Sequence, residues 1–173
     1  GRITSRQDYL TVNGTNKTTD TYAYTYDELG RLYTESRNGV EIARTSYNNK
    51  DQVSQLRLDN NLYSLNYGYN FRGWLSNINT SNDNTFYLKL NYWAGNPSTS
   101  FNQNNGNIGS MEVNIPSLNT ATNTDRLIYG FEYDGLNRLI KANTYGNMRY
   151  LYDAEYSYDV MGNILSIKRN RKN

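Results

Sequence analysis

Tyr26-Asp27-Glu28-Leu29-Gly30-Arg31-Leu32 returns as Tyr133-Asp134-Gly135-Leu136-Asn137-Arg138-Leu139, and again as Tyr158-Asp159-Val160-Met161-Gly162-Asn163-Ile164. The shared frame is Tyr-Asp, two free positions, Gly or Asn, Arg or Asn, then Leu or Ile. An aromatic residue (Tyr24, Phe131, Tyr156) stands two places before each tyrosine. Tyr47-Asn48-Asn49-Lys50-Asp51-Gln52-Val53 and Tyr69-Asn70-Phe71-Arg72-Gly73-Trp74-Leu75 are weaker copies. Phe101 to Ile108 reads as a doubtful one that needs an inserted residue, with Gly106-Asn107-Ile108 as its tail. Neighbouring motif tyrosines stand about 20–25 residues apart where the array is regular, a spacing typical of repeat architectures.

The physical content of the frame is a hairpin. Tyr22, Tyr24 and Tyr26 alternate with Ala23 and Thr25, the period of a strand with one aromatic face. Asp27 is placed to accept backbone N–H groups in an Asx turn. Asp at the first turn position and Gly at the fourth suit a type I turn. Gly30 takes the left-handed conformation without a Cβ penalty, and Leu32 begins the return strand. Where glycine is lost, Asp51 and Asn137 replace it, and Asp and Asn are among the few side chains that tolerate the left-handed region. The motif residues are therefore structural: Tyr26, Asp27, Gly30 and Leu32; Tyr47, Asn48, Asp51 and Val53; Tyr69, Asn70, Gly73 and Leu75; Tyr133, Asp134, Asn137 and Leu139; Tyr158, Asp159, Gly162 and Ile164.

Different turns serve the opposite ends. Asn38-Gly39 is a strong hairpin signal, and Asp59-Asn60-Asn61, Thr80–Asn84 and Tyr145-Gly146-Asn147 separate further apolar-alternating runs. Tyr152-Asp153 has no Gly or aliphatic residue in frame and reads as mid-strand. The expectation is an all-β chain of about a dozen antiparallel strands in a meander of consecutive hairpins. It reads as a single array over 1–173, with approximate repeats 21–45, 46–66, 67–92, a degenerate 93–124, 125–150 and 151–169. Trp93–Asn105 and Ile115–Thr124 read as long loops inserted into the array.

Composition sets the limits on chemistry. Mean hydropathy is −0.87, yet 18 tyrosines among 173 residues supply large rings with polar tips, enough to cover strand faces. Net charge is +2, which describes solubility and no nucleic-acid footprint; the one basic cluster, Lys168, Arg169, Arg171 and Lys172, reads as a solvated strand end. Cysteine and histidine are absent, so Ser-His-Asp and Cys-His catalysis, disulfides and the usual zinc sites are excluded. No Walker loop or dinucleotide fingerprint occurs, and no apolar run reaches the length of a membrane helix. The carboxylates that could form an acid/base pair, Asp27, Asp134 and Asp159 among them, are explained by turn capping. No catalytic residue, metal site or cofactor is expected. Asn82-Asp83-Asn84 reads as an ordinary polar turn, since it lacks the Gly and distal Glu of a calcium loop.

The three full copies resemble the YD repeats of the RHS (rearrangement hotspot) family, and Tyr69 to Asn79 resembles a variant found in bacterial members. The resemblance spans about Thr21 to Arg169. It implies a fold in which YD hairpins wind into a curved, spiralling β-sheet that closes as a hollow shell, as in RHS and teneurin-type proteins. It implies a secreted or cell-surface location and, in bacterial members, an enclosed C-terminal toxin. The family's self-cleaving segment carries an Asp-Pro motif; here Pro97 follows Asn96 and Pro116 follows Ile115, so no catalytic residue is carried over. A closed shell needs many more than six copies, so the expected partners are further YD repeats, of the same polypeptide or another chain, pairing along a sheet edge, with an enclosed effector domain. The competing reading is a carbohydrate- or surface-binding module that uses exposed tyrosines and Trp93.

Overall fold

The computed structural model describes residues 1–79, 86–98, 101–114, 126–146 and 152–170, with the side chains of 16–18 left out. The turn at 80–84, the loop 115–124, Asn147, Arg171 and Lys172 lie outside them, as does the Asn82-Asp83-Asn84 tip. The chain divides into two compact units, Gly1–Tyr67 and Gly68–Asn173.

In the first unit β1 (Ser5–Val12), β2 (Thr15–Tyr26), β3 (Leu32–Arg37), β4 (Val40–Tyr47), β5 (Val53–Leu58) and β6 (Tyr63–Tyr69, whose last two residues lie past the unit boundary) pair antiparallel in chain order. The hairpin β1–β2 was not legible as such. Its turn, Asn13-Gly14, looks like a glycosylation triplet in a chain rich in Asn, but both residues are left-handed (φ 51° and 74°), as an Asn-Gly hairpin turn requires. Asn38-Gly39 repeats this geometry with φ of 52° and 81°. No described residue of this unit is fully buried. Both sheet faces are instead laced by ion pairs and by guanidinium–ring stacks such as Arg6 over Tyr22 at 4.3 Å.

In the second unit β7 (Leu75–Ile78), β8 (Tyr87–Asn91), β9 (Ser110–Asn114), β10 (Leu127–Tyr133), β11 (Leu139–Tyr145), β12 (Ala154–Tyr158) and β13 (Ile164–Arg169) continue the same pattern, again antiparallel neighbours in chain order. Tyr152-Asp153 lies ahead of β12 instead of inside a strand. The Asp153 carboxylate is buried and accepts both the backbone N–H and the hydroxyl of Thr144 at 2.7 and 2.8 Å. That side chain ties the segment to β11, while the Asp153 carbonyl accepts the Asn170 N–H at 3.0 Å beside the Ala154–Arg169 pair.

The core lies in this second unit. The segment between β8 and β9 folds back over one sheet face and inserts Phe101, which is 2% exposed. Gly130, in the middle of β10, makes room for it: a Cβ there would stand 2.6 Å from the Phe101 ring. Phe101 also meets the edge of Tyr145, with centroids 5.5 Å apart. The residues that read as an inserted loop are thus partly core, because the inserted ring supplies the apolar cover that this part of the sheet lacks.

Removing the plug should therefore be costly. Phe101→Ala should destabilise the chain by about 3–5 kcal/mol, and Gly130→Ala, which overpacks the same contact, by about 1–3 kcal/mol, both measured by chemical denaturation.

Candidate functional site

Five described copies of the Tyr-Asx frame build the same turn. The backbone N–H of the fifth motif residue (Gly30, Asp51, Gly73, Asn137, Gly162) donates to the carbonyl of the Asx residue at 2.8–3.2 Å, and the Asx N–H donates four residues ahead at 2.8–3.0 Å. The Asx Oδ1 accepts the N–H of residue i+4 at 2.8–3.1 Å in every copy. The fifth residue is left-handed throughout, with φ of 79°, 61°, 81°, 64° and 90°. Asp51 and Asn137 are thus left-handed in place of glycine. Register breaks at Tyr26, Tyr47, Tyr133 and Tyr158, the bulge expected when a type I turn ends on a left-handed residue.

The second Asx oxygen holds the motif arginine. Asp27 Oδ2 accepts Arg31 Nε at 2.7 Å, and Asp134 Oδ2 accepts Arg138 Nε at 2.6 Å. In the last copy Asn163 Nδ2 donates to Asp159 Oδ2 at 2.9 Å. At Asp27, burial is the largest single influence and opposes ionisation, but the Arg31 N–H and guanidinium outweigh it together and hold the carboxyl below its ordinary value. At Asp134 the Arg138 N–H leads, and at Asp159 the Asn163 amide leads; both carboxyls are likewise lowered. These aspartates are kept ionised as turn anchors, the opposite of a carboxyl raised to act as a general acid. Asn70, followed at i+4 by Trp74, is the exception: its buried Nδ2 finds no partner.

A second relation joins each turn to the preceding hairpin. The tyrosine hydroxyl donates to the carbonyl of the aliphatic residue that closed the frame before it: Tyr47 to Leu32 at 2.9 Å, Tyr133 to Ile108 at 2.9 Å and Tyr158 to Leu139 at 2.6 Å. Tyr26 donates in the same way to Ile3 at 2.6 Å, so Arg2-Ile3 occupies the place of a motif tail. Beside three of these four bonds the preceding arginine lies over the same tyrosine ring: Arg2 over Tyr26 at 5.4 Å, Arg31 over Tyr47 at 4.3 Å, Arg138 over Tyr158 at 4.8 Å; at Tyr133 the preceding residue is Asn107. Hydroxyl and ring of one side chain together form a clasp between successive hairpins.

The clasp identifies a motif tyrosine that sequence reading missed. Tyr92 donates to the Leu75 carbonyl at 2.9 Å, and its ring meets Trp74 at a centroid separation of 5.0 Å. Trp74 stands in the arginine position of its frame, so Tyr92 is the tyrosine of the degenerate copy and Phe101 is not. The only available signal was the aliphatic tail at Ile108, separated from Tyr92 by the inserted segment. Trp93, singled out as a ligand-facing ring, lies half-buried in a cluster with Phe71, Trp74 and Tyr92, and the Arg72 guanidinium is 5.4 Å from its centroid. Among the described residues no group of three or more acidic side chains is arranged to hold a metal.

The left-handed side chains also reach backwards. Asp51 pairs with Arg31, and Asn137 Oδ1 accepts the side-chain amides of Asn105 and Asn107. Asx at this position therefore satisfies the backbone and adds a contact that glycine lacks.

Turn, bulge and clasp define the class: an all-β YD-repeat fold of consecutive antiparallel hairpins. Solved structures share it. The chain aligns over 96% of its length with 8% of a chain in the crystal structure of TcdB2-TccC3-Cdc42 (15% identity, TM-score 0.69). It aligns over 96% of its length with 9% of a chain in TcdB2-TccC3 (15% identity, TM-score 0.66), and over 94% with 8% of a chain in the Photorhabdus luminescens Tc holotoxin pore carrying a TccC3 variant (17% identity, TM-score 0.61). These are toxin-complex shells of RHS/YD-repeat type, and the resemblance read from the sequence holds at the level of fold. The chain spans less than a tenth of the length of the chains it matches. No family model matches, and no curated protein does.

Three outcomes follow. Tyr133→Phe, which removes only the clasp hydroxyl, should cost about 0.5–1.5 kcal/mol by denaturant unfolding. Gly162→Ala should cost about 1–2 kcal/mol from the left-handed backbone alone, because its Cβ would meet nothing within 4 Å, while Gly162→Asn should lose less. Asp134→Asn should lower the melting temperature less than Asp134→Ala, since Asn48 and Asn70 show that the amide keeps the turn. Lowered carboxyl values stabilise the fold above the ordinary value of 3.8 and lose that contribution as pH falls through the folded-state values. Melting temperature should therefore drop as pH falls below about 5, less steeply in Asp134→Asn.

Proposed function

We propose that this chain is a structural YD-repeat segment of a large secreted or cell-surface β-shell, one that encloses a C-terminal toxin or effector domain and is itself non-catalytic. The observation that carries the reading is the clasp. Every described motif tyrosine whose hydroxyl bond is defined reaches the previous hairpin's tail carbonyl, so the conserved-looking chemistry of the repeat is used to fasten one hairpin to the next. The lowered aspartates support the same view, because their protonation is set by turn anchoring. Likeness of fold to toxin-complex shells agrees with a shell role.

The geometry also describes the partner such a segment fits. Ile164 stands where Ile3, Leu32, Ile108 and Leu139 stand, and β13 is exposed along its whole length. A strand ending in a further motif tyrosine would place its hydroxyl on the Ile164 carbonyl and pair along β13.

The test is imaging and limited proteolysis of the full-length parent protein. A closed hollow particle in electron micrographs, with a C-terminal domain resistant to protease until the shell is opened, is the expected result. An open array whose C-terminal region is digested at the rate of an unfolded tail would overturn the enclosure reading.

A further inference from the structure

In the second unit, the sheet face opposite the Phe101 plug carries a hollow of about 580 Å³, within the range of small-molecule sites. Its origin is a single cross-strand row. Phe131 pairs with Ala142, Ala142 with Ala154, and Ala154 with Arg169. Two alanines, both buried, thus form a floor between an aromatic wall and a cationic one. The aromatic wall is doubled by Tyr129, whose ring lies parallel to that of Phe131 (9° between planes, centroids 6.0 Å apart). Tyr152 and Tyr156 add ring surface with hydroxyl tips. Burial, together with Tyr152, Asp153 and Tyr156 nearby, raises the Tyr129 phenol above its ordinary value.

Arg169 is unlike the ion-pairing arginines. Arg6, Arg31, Arg37, Arg44, Arg126 and Arg138 each face a carboxylate. Arg169 has no acidic or ring partner among the described residues, yet it lines this hollow. Asp153 also lines the hollow, with its Oδ1 taken by Thr144; an unpaired guanidinium at the end of a mainly aromatic and aliphatic trough is a carboxylate receptor with a seat for a ring.

We propose that this hollow binds a six-membered ring bearing a carboxylate, with the ring over the Ala142–Ala154 floor against Tyr129 and Phe131 and the carboxylate on Arg169. Either an acidic sugar or an aromatic acid supplies that chemistry. The site does not depend on the shell reading, since every described residue that lines it belongs to one unit.

The test is titration of the full chain with sodium glucuronate and with sodium benzoate, followed by NMR at the Ala142 and Ala154 methyl groups, with glucose and benzyl alcohol as neutral counterparts. Saturable shifts with at least one acid are expected, weaker by about tenfold for its neutral counterpart. Arg169→Gln should weaken the acid by about tenfold and leave the unfolding midpoint unchanged, because no intramolecular ion pair is lost. Tyr152→Ala, at a residue 55% exposed, should weaken binding independently. Glucuronate binding identifies the sugar as the source, and binding of benzoate alone identifies the aromatic acid. No saturation by either acid, equal binding of acid and neutral ring, or binding indifferent to Arg169→Gln would overturn the proposal.

Discussion

The rest of the structure depends on one hydrogen bond: a tyrosine hydroxyl donated to a backbone carbonyl 15–25 residues earlier in the chain. Hairpins made from a polar sequence have little apolar surface with which to hold one another, and an isolated hairpin is marginal in water. The clasp compensates by using both ends of one side chain. At Tyr26, Tyr47, Tyr92 and Tyr158 the ring also meets the preceding arginine or tryptophan, and the hydroxyl satisfies a carbonyl at the point where the frame's bulge disturbs the ladder. Each contribution is modest, about 0.5–1.5 kcal/mol for the bond and about 0.5–1 kcal/mol or more for the stack, but it recurs along the array. Stability of this kind sums over neighbours, as in repeat proteins generally.

This explains how a chain of mean hydropathy −0.87 folds. In the first unit no described residue is fully buried, and cohesion rests on the ladder, the clasps and paired charges. In the second unit an insertion adds what the frame does not provide. Phe101 supplies a core, Gly130 makes room for it, and Asn96 Nδ2 ties the segment's own carbonyls at Tyr92 and Phe101. An inserted segment can thus serve as local packing as well as connection.

Aspartate in the motif is equally revealing. One oxygen takes backbone N–H groups and the other takes arginine at Asp27 and Asp134 or the Asn163 amide at Asp159, so the proton affinity of the carboxylate falls. Replacement by Asn48 and Asn70 keeps the backbone half of that arrangement. At Asn70 the arginine position has become Trp74, and the amide N–H group that would face a partner there is left without one. The loss on that side accompanies a gain on the other, since Trp74 packs at a tilt against Tyr92 and extends the aromatic cluster around Trp93.

The sequence by itself determined the turns, because an Asx cap and a left-handed fourth position are local requirements that only Gly, Asn or Asp meet at low cost; Asp51 and Asn137 could be placed in the left-handed region from their letters alone. It also determined the strand class and the chain-order meander, which follow from period-two aromatic alternation and short hairpin turns. Tertiary structure decided what the tyrosines hold. Their partner is a backbone carbonyl, which every residue carries and no sequence marks, so the clasp was invisible, and Tyr92, separated from its tail by an insertion, was missed with it. The Ala142–Ala154 floor escaped for a related reason: a hollow exists only when register brings two small side chains side by side, and the register of β11 against β12, which the buried Asp153–Thr144 contact accompanies, follows no local pattern.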